Sequence, residues 1–361
     1  MKNILIIHAS AGAGHQKAAE AVFDGIKSSS AHQARIIDGL DLTSQSFKNL
    51  YRNTYTLLIS KVPWLWGIFF GIADVRPLLP LVRFVRRVQN SVNAKPLEEF
   101  LKKEQFDCII STHFFPTEVV SRLKRTGAVR SKLITVVTDF DVHSIWMAPN
   151  VDQYAVASDW TKNKLASMGV APEKIAVTGI PVNAKFTVRR DKKEMRRKLG
   201  LKEQAFTVLV ATGSFGIGPI EKIIRAIETF QTVVVCGHNK SLFDRLSRIQ
   251  RPSLKVCGLV NNMDELMAAS DVMVSKPGGL SICEALASGL PMIFFNAIPG
   301  QETNNIRVLR VYGTGVSTSM TADIAETLEE YRSAPQTYLK AVEQTKVLAK
   351  PNAVQDIIKL I

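Results

Sequence analysis

The chain of 361 residues is poor in cysteine: Cys108, Cys236, Cys257 and Cys283 stand far apart and form no CxxC pair. That spacing argues against a zinc ribbon or a redox dithiol. Each cysteine lies in or beside an apolar run, where a buried reduced thiol is the expected state, and nothing points to an oxidising compartment. Long apolar runs are missing too. A membrane-spanning helix needs about 18 such residues, and the longest stretch, Val62 to Ala73, is bounded by Lys61 and Asp74. The opening MKNILIIHASAGAGH has an apolar run only about half the length of a signal h-region, so it reads as a first β-strand. There is no internal repeat and no low-complexity tract. With 46% hydrophobic and 22% charged residues, the composition is that of a folded globular protein with ample core.

Acidic residues are scarce in two places, and these account for the net charge of +14. From Lys48 to Lys95 eight Lys or Arg face the single acid Asp74, and from Lys185 to Lys202 nine bases face Asp191 and Glu194. The second window reads as a solvated basic face. The first also carries Trp64, Leu65, Trp66, Ile68, Phe69, Phe70, Leu78, Leu79 and Leu81, followed by Arg83, Arg86 and Arg87. Tryptophan and phenylalanine beside cationic flanks suit the headgroup region of an anionic membrane, where each base gains about 1 kcal/mol. The competing expectation is a buried helical hairpin. Nucleic acid is disfavoured as a partner, because the aromatics form one apolar block and are not interleaved along a basic groove.

Short apolar runs recur with helical patterns between them. The first series is Ile4–His8, Ala34–Asp38, Cys108–Ser111, Leu133–Thr138, Gln153–Val156 and Ile175–Val177. The second is Thr207–Ala211, Thr232–Cys236, Leu254–Cys257, Val272–Ser275 and Pro291–Phe295. Continuous apolar strands alternating with helices predict parallel sheets covered on both faces. Two series predict an α/β chain of two Rossmann-like domains, residues 1–182 and 203–361, joined by a basic linker, 183–202.

Five motifs follow predicted strands, where open α/β sheets collect their ligands. In His8-Ala-Ser-Ala-Gly12-Ala-Gly14-His15 the glycines permit a tight turn into a helix, but the third glycine of a dinucleotide fingerprint is absent, which disfavours hydride transfer. His15 falls at a helix start, which favours neutral imidazole, the form able to take a proton from a hydroxyl. Thr138-Asp139-Phe140-Asp141-Val142-His143 offers Asp139 to orient or assist that base and His143 to the same region; both also suit plain loop roles. Gly213-Ser214-Phe215-Gly216 can cradle a diphosphate through backbone N–H groups. Ser275-Lys276-Pro277-Gly278-Gly279-Leu280-Ser281 opens a helix as an anion site, and Glu284 about one turn, ~5.4 Å, further on suits a ribose. Pro299-Gly300-Gln301-Glu302 brings the mixed donors and acceptors that a hexose needs.

In order along the chain, GAGHQKAA, TDFDVHSIW, TGIPV, GSFG, KPGGLSICEA and PGQETNN resemble the monogalactosyldiacylglycerol synthase and processive diacylglycerol glucosyltransferase family. More distantly, they resemble the N-acetylglucosaminyltransferase that acts on lipid I. The resemblance spans nearly the whole chain and is weakest between about Leu42 and Glu104. It implies a GT-B fold with the two sheets facing across a cleft, an inverting mechanism with no bound metal or cofactor, and a UDP-sugar held mainly by the second domain. Carried over by motif, Gly278, Gly279 and Ser281 hold the diphosphate, Glu284 the ribose, Gln301 and Glu302 the sugar, and Gly258, Leu259 and Val260 the uracil. His15 acts at the acceptor hydroxyl, with Gly12 and Gly14 lining its surroundings. The stretch from Trp64 to Arg87 corresponds by position and character to the membrane-docking part. The last helix, after Pro351, is expected to cross back to the first domain, as in folds of this type.

The expected activity is transfer of a hexose from UDP-glucose or UDP-galactose to diacylglycerol or a glycosyl-diacylglycerol. The expected location is cytoplasmic, peripheral on the inner face of the membrane. A polyprenyl-linked or other lipid acceptor, or a membrane-associated UDP-sugar sensor without turnover, stands as the alternative.

Overall fold

The computed structural model describes the backbone of all 361 residues and every side chain except those of Tyr55, Thr56, Ile59, Ser60, Phe69, Arg76, Arg83, Arg87 and Ser91. The chain divides into two compact units. The first comprises Met1–Asn183, Ile298–Asn304 and Pro351–Ile361; the second comprises Ala184–Ala297 and Asn305–Lys350.

In chain order the first unit contains β1 (Asn3–His8), α1 (Ala13–Ser29), β2 (Gln33–Asp38), α2 (Gln45–Lys61), α3 (Pro63–Ile72), α4 (Leu79–Asn93), α5 (Lys95–Lys103), β3 (Cys108–Ser111), α6 (Phe114–Arg125), β4 (Lys132–Val136), β5 (Gln153–Val156), α7 (Asp159–Ser167) and β6 (Ile175–Val177). Its sheet is all parallel, in the order β2-β1-β3-β4-β5-β6. Successive side chains of β1 enter opposite cores. Leu5 and Ile7 pack with α5, α6 and α7, and Ile4 and Ile6 pack with α1. A strand buried on both faces can be continuously apolar, which is why it is legible without alternation.

The second unit contains α8 (Lys192–Lys198), β7 (Thr207–Ala211), α9 (Ile220–Ala226), β8 (Gln231–Val235), α10 (Lys240–Leu246), β9 (Leu254–Cys257), α11 (Met263–Ala269), β10 (Val272–Ser275), α12 (Gly279–Ala287), β11 (Met292–Phe294), α13 (Gln301–Val311), β12 (Val316–Ser317), α14 (Thr321–Ser333) and α15 (Pro335–Leu348). The first residues of α13 group with the first unit. Its sheet is also parallel, in the order β12-β11-β10-β7-β8-β9. In each sheet the strand order reverses beside the first strand, between β1 and β3 and between β7 and β10. The carboxyl end of that point is where such sheets bind ligands.

One detail departs from the sequence reading. The basic stretch 183–202 is not a free linker: α8 lies within it and is tied down by carboxylates. Arg196 and Lys192 reach Asp271 at 2.6 and 2.7 Å, Arg190 reaches Asp264 at 2.7 Å, and Lys198 reaches Glu265 at 2.7 Å. Its positive charge is neutralised by acids distant in sequence, which no window count reveals. The terminal helix α16 (Ala353–Ile358) groups with the first unit, where Ile357 joins the core of Ile4, Ile6 and Val22. Gly25 of α1 lies so close beneath Val354 that any Cβ there would overlap it.

Candidate active site

Gly12 ends the loop after β1 with φ 103°, a conformation favouring glycine, and caps α1 without a side-chain hydrogen bond. Gly14 and His15 follow as the second and third residues of the helix. His15 Nδ1 lies 2.8 Å from the Thr112 carbonyl and 3.0 Å from Thr138 Oγ1, and the Thr112 hydroxyl donates back to the His15 carbonyl at 2.8 Å. A carbonyl only accepts, so Nδ1 carries the proton and Nε2 is the basic nitrogen. Thr112 follows β3 and Thr138 follows β4, so three strand ends converge on one imidazole. His113 meets its ring edge-on at 4.5 Å and Trp146 lies at 6.0 Å.

Burial is the main cause that pushes the His15 pKa down to about 4, with His8 adding to it and the Thr112 hydrogen bond opposing. Enclosure, which the sequence did not show, is thus a cause of neutrality beside the helix start invoked from sequence. His113 is pushed down as well, chiefly by burial and then by His15.

Asp139 accepts from Gln301 Nε2 at 2.9 Å and from Trp146 Nε1 at 3.4 Å, and Trp146 in turn faces the His15 ring. Asp139 therefore has no direct hydrogen bond to His15 among those described; Thr112 and Thr138 are the partners of Nδ1. These two threonines, with His113 and Trp146, were not singled out from sequence. Thr112, His113 and Thr138 share the signal of a position just beyond a strand, whereas Trp146 lies further on, at the end of the TDFDVHSIW run. Asp141, which shares a DxD spacing with Asp139, accepts from Lys164 at 2.8 Å and Trp160 at 3.3 Å and so fastens its loop to α7.

His143 uses both nitrogens structurally. Nε2 donates to the Phe70 carbonyl at 2.8 Å and Nδ1 accepts from the Ile145 amide at 3.0 Å, so its part is to hold α3. Gln301 and Glu302, read as part of the second domain, lie in the segment that groups with the first unit.

The residues expected at the membrane separate by face. Trp64 is 61% exposed, and Ile68 and Ile72 follow it along α3 at helical spacing. On α4, Leu81, Phe84, Val85, Val88 and Val92 form a second exposed apolar stripe. Trp66 and Phe70 instead turn inward, where their rings lie 5.9 Å apart and Phe70 stacks on His143 at 4.0 Å. Arg86 also turns inward, pairing with Glu118 at 2.7 Å above the Phe114 ring. The side chains of Phe69, Arg83 and Arg87 lie outside the described residues.

The second unit gathers the remaining site residues at the carboxyl ends of β7, β9 and β10. Gly213 and Gly216 adopt φ 77° and 54°, and the loop interlocks with the one after β8 through His238 N to the Ser214 carbonyl at 2.8 Å. Phe215 is exposed at the tip and Ser214 supports the turn from within. Gly278 caps α12 with no side-chain hydrogen bond, there is no acid in the first turn, and a Cβ on Gly278 would meet open space. The first-turn amides of α12, those of Gly279 and Ser281 among them, therefore have the geometry that a helix N-terminus offers to an anion. Glu284 lies on the same helix one turn beyond Ser281. Gly258, Leu259 and Val260 follow β9, with Leu259 exposed and the Gly258 carbonyl accepting from Gly237 N at 3.3 Å. Among the described residues no cluster of three or more His, Cys, Asp or Glu has metal-binding geometry, and no helix is long and apolar enough to cross a membrane.

Known proteins resemble this chain in sequence and in fold. The monogalactosyldiacylglycerol (MGDG) synthase profile matches residues 15–182, and that of the glycosyltransferase family 28 C-terminal domain matches residues 207–360. A processive diacylglycerol beta-glucosyltransferase of Bacillus pumilus is 30% identical, covering 91% of this chain and 86% of its own length. The chain belongs to the monogalactosyldiacylglycerol synthase and processive diacylglycerol glucosyltransferase family. The Bacillus subtilis relative of the same name is 28% identical over 99% of this chain and 95% of its own. Among solved structures, MurG of Acinetobacter baumannii superposes with TM-score 0.60 at 13% identity, covering 100% of this chain and 99% of that one. UDP-bound MnaA of S. aureus gives 0.63 at 13% identity, covering 99% of this chain and 95% of that one. At that identity the likeness establishes the fold, which is GT-B with two Rossmann-like units.

Proposed function

We propose that this member of the family transfers a hexose from a UDP-sugar to diacylglycerol, or to a glycosyl-diacylglycerol, at an anionic membrane surface on the cytoplasmic face. The observation that carries the reading is the state of His15: neutral, its Nδ1 proton committed to the Thr112 carbonyl and Nε2 left basic. As the acceptor oxygen attacks the anomeric carbon, Nε2 takes its proton. The bond from that carbon to the diphosphate breaks, and UDP leaves with the electron pair. The single displacement inverts the anomeric centre.

The growing negative charge on UDP is met by the amides at the start of α12 and by the Gly213–Gly216 loop. Glu284 holds the ribose, Gln301 and Glu302 the hexose, and the loop Gly258–Val260 the uracil. The relatives named as diacylglycerol beta-glucosyltransferases support the lipid acceptor and favour glucose as the sugar. The exposed stripes on α3 and α4, in the window with eight bases and one acid, support docking on anionic lipid, with Trp64 at headgroup depth.

The test is mass spectrometry of lipids after incubation with diacylglycerol-containing anionic vesicles and UDP-glucose or UDP-galactose. The expected product is a hexosyl-diacylglycerol, and His15→Ala lowers its rate by about 10²–10⁴-fold, the range of a lost general base. Binding of a UDP-sugar with no glycolipid formed would reject the diacylglycerol reading in favour of another lipid acceptor or of sensing.

A further inference from the structure

We infer that α3 positions the segment Pro299–Glu302, so that the helix offered to the lipid surface also sets the residues offered to the donor sugar. This rests on the lipid glycosyltransferase reading above.

α3 has two faces. Trp64, Ile68 and Ile72 face outward, whereas Gly67 and Phe70 face the Pro299–Gly300 turn. A Cβ on Gly67 would lie 2.7 Å from Pro299 Cβ, closer than real Cβ atoms come. Across the same contact a Cβ on Gly300, whose φ is 84°, would lie 2.8 Å from the Phe70 ring. Glycine on each side lets helix and turn touch without slack, and packed matter of this kind transmits displacement.

Both partners of the contact are anchored elsewhere. The Phe70 carbonyl accepts from His143 at 2.8 Å, and its ring lies 4.0 Å from the imidazole. Beyond the helix, Ser144 N donates to Asp74 at 3.1 Å and Ser144 Oγ to the Ala73 carbonyl at 3.2 Å. On the other side Gln301 Nε2 donates to Asp139 at 2.9 Å, and Glu302 accepts from Ile298 N at 2.7 Å. The turn is thus held between α3 and Asp139. A shift of α3 on meeting lipid moves Pro299, and with it Gln301 and Glu302. By linkage, a lipid surface that favours one setting of α3 changes affinity for the hexose and leaves UDP alone unaffected, since UDP makes no use of those two residues.

Gly67→Ala and Gly71→Ala form the test pair. Both add one methyl group to α3 and raise its helix propensity equally, but at Gly71 the methyl meets open space. Binding of UDP-glucose and of UDP is measured by calorimetry with and without diacylglycerol-free phosphatidylglycerol vesicles. In the wild type, vesicles are expected to tighten UDP-glucose binding about fivefold or more and leave UDP unchanged. Gly67→Ala is expected to weaken UDP-glucose relative to UDP and to abolish the vesicle effect, while Gly71→Ala retains both. Phe70→Leu, which stays apolar but removes the ring stacked on His143, serves as the second variant should Gly67→Ala melt early. Vesicles that shift both nucleotides alike, or a Gly67→Ala protein that matches Gly71→Ala, would overturn the inference. A wild type that binds neither nucleotide would instead overturn the function on which it rests.

Discussion

His15 meets its neighbours through Nδ1, and its chemistry follows from the nitrogen left over. Because burial lowers its pKa to about 4, the side chain stays neutral far below the ordinary histidine value of about 6.5. The acid limb of the transfer rate should therefore fall near pH 4–5 and not near 6.5, as read from initial rates across pH 4–8; a limb at 6.5 would contradict the enclosed geometry. The same shift bears on stability. A histidine whose folded pKa lies below its unfolded value contributes fully above about pH 6.5, and that contribution is lost as pH falls toward the folded value. His8, His113 and His143 are shifted in the same direction, mainly by burial, so the melting temperature of the first unit should drop steeply between pH 6.5 and 4. The sequence made His15 visible because a histidine after a glycine turn is conspicuous. It did not make Thr112 visible, since that residue lies 97 positions away and acts through its carbonyl.

At the scale of elements, α8 shows how a charge run misleads. Asp271 receives Lys192, Arg196 and the Thr207 amide, all within 2.7 Å, and thereby ties α8 to β7 and β10. Arg196 is itself buried and also donates to the Ala269 and Glu203 carbonyls at 2.8 and 2.7 Å. Removing the shared carboxylate leaves a buried guanidinium uncompensated, which costs about 3–5 kcal/mol. Asp271→Ala should lower the urea midpoint of the second unit by a corresponding amount, followed by tryptophan-independent far-UV dichroism, whereas Lys346→Ala at an exposed pair on α15 should change it little. The strands themselves were legible almost to the residue, because parallel strands covered on both faces are uninterrupted apolar runs. β12 was not: two half-buried residues at a sheet edge carry no such run.

Across the whole molecule the excess charge matters through where it stays unpaired. The bases of the second basic window are largely met by ion pairs; in the first, Lys48 pairs with Asp41 and Arg86 with Glu118, and the run as a stretch of sequence spans the exposed apolar stripes of α3 and α4. Binding to phosphatidylglycerol vesicles should weaken as salt rises from 0.05 to 0.5 M, and Trp64→Ala with Phe84→Ala should reduce it at every salt concentration by removing apolar contact. Flotation with phosphatidylcholine vesicles as the neutral comparison measures both effects; equal binding to neutral and anionic vesicles would refute the electrostatic part.

The sequence by itself determined the class of each half, the strands and the loops that follow them, because these depend on local apolar runs and on glycine at turns. It also determined the family, through six short motifs in order. Only the tertiary structure decided which nitrogen of His15 is basic, that Trp66, Phe70 and Arg86 turn inward while Trp64 faces out, that Gln301 bonds Asp139, and that residues after Pro351 return to the first unit. Each of these is a contact between positions far apart in the chain, set by how packed elements meet, and no pattern confined to neighbouring residues encodes it.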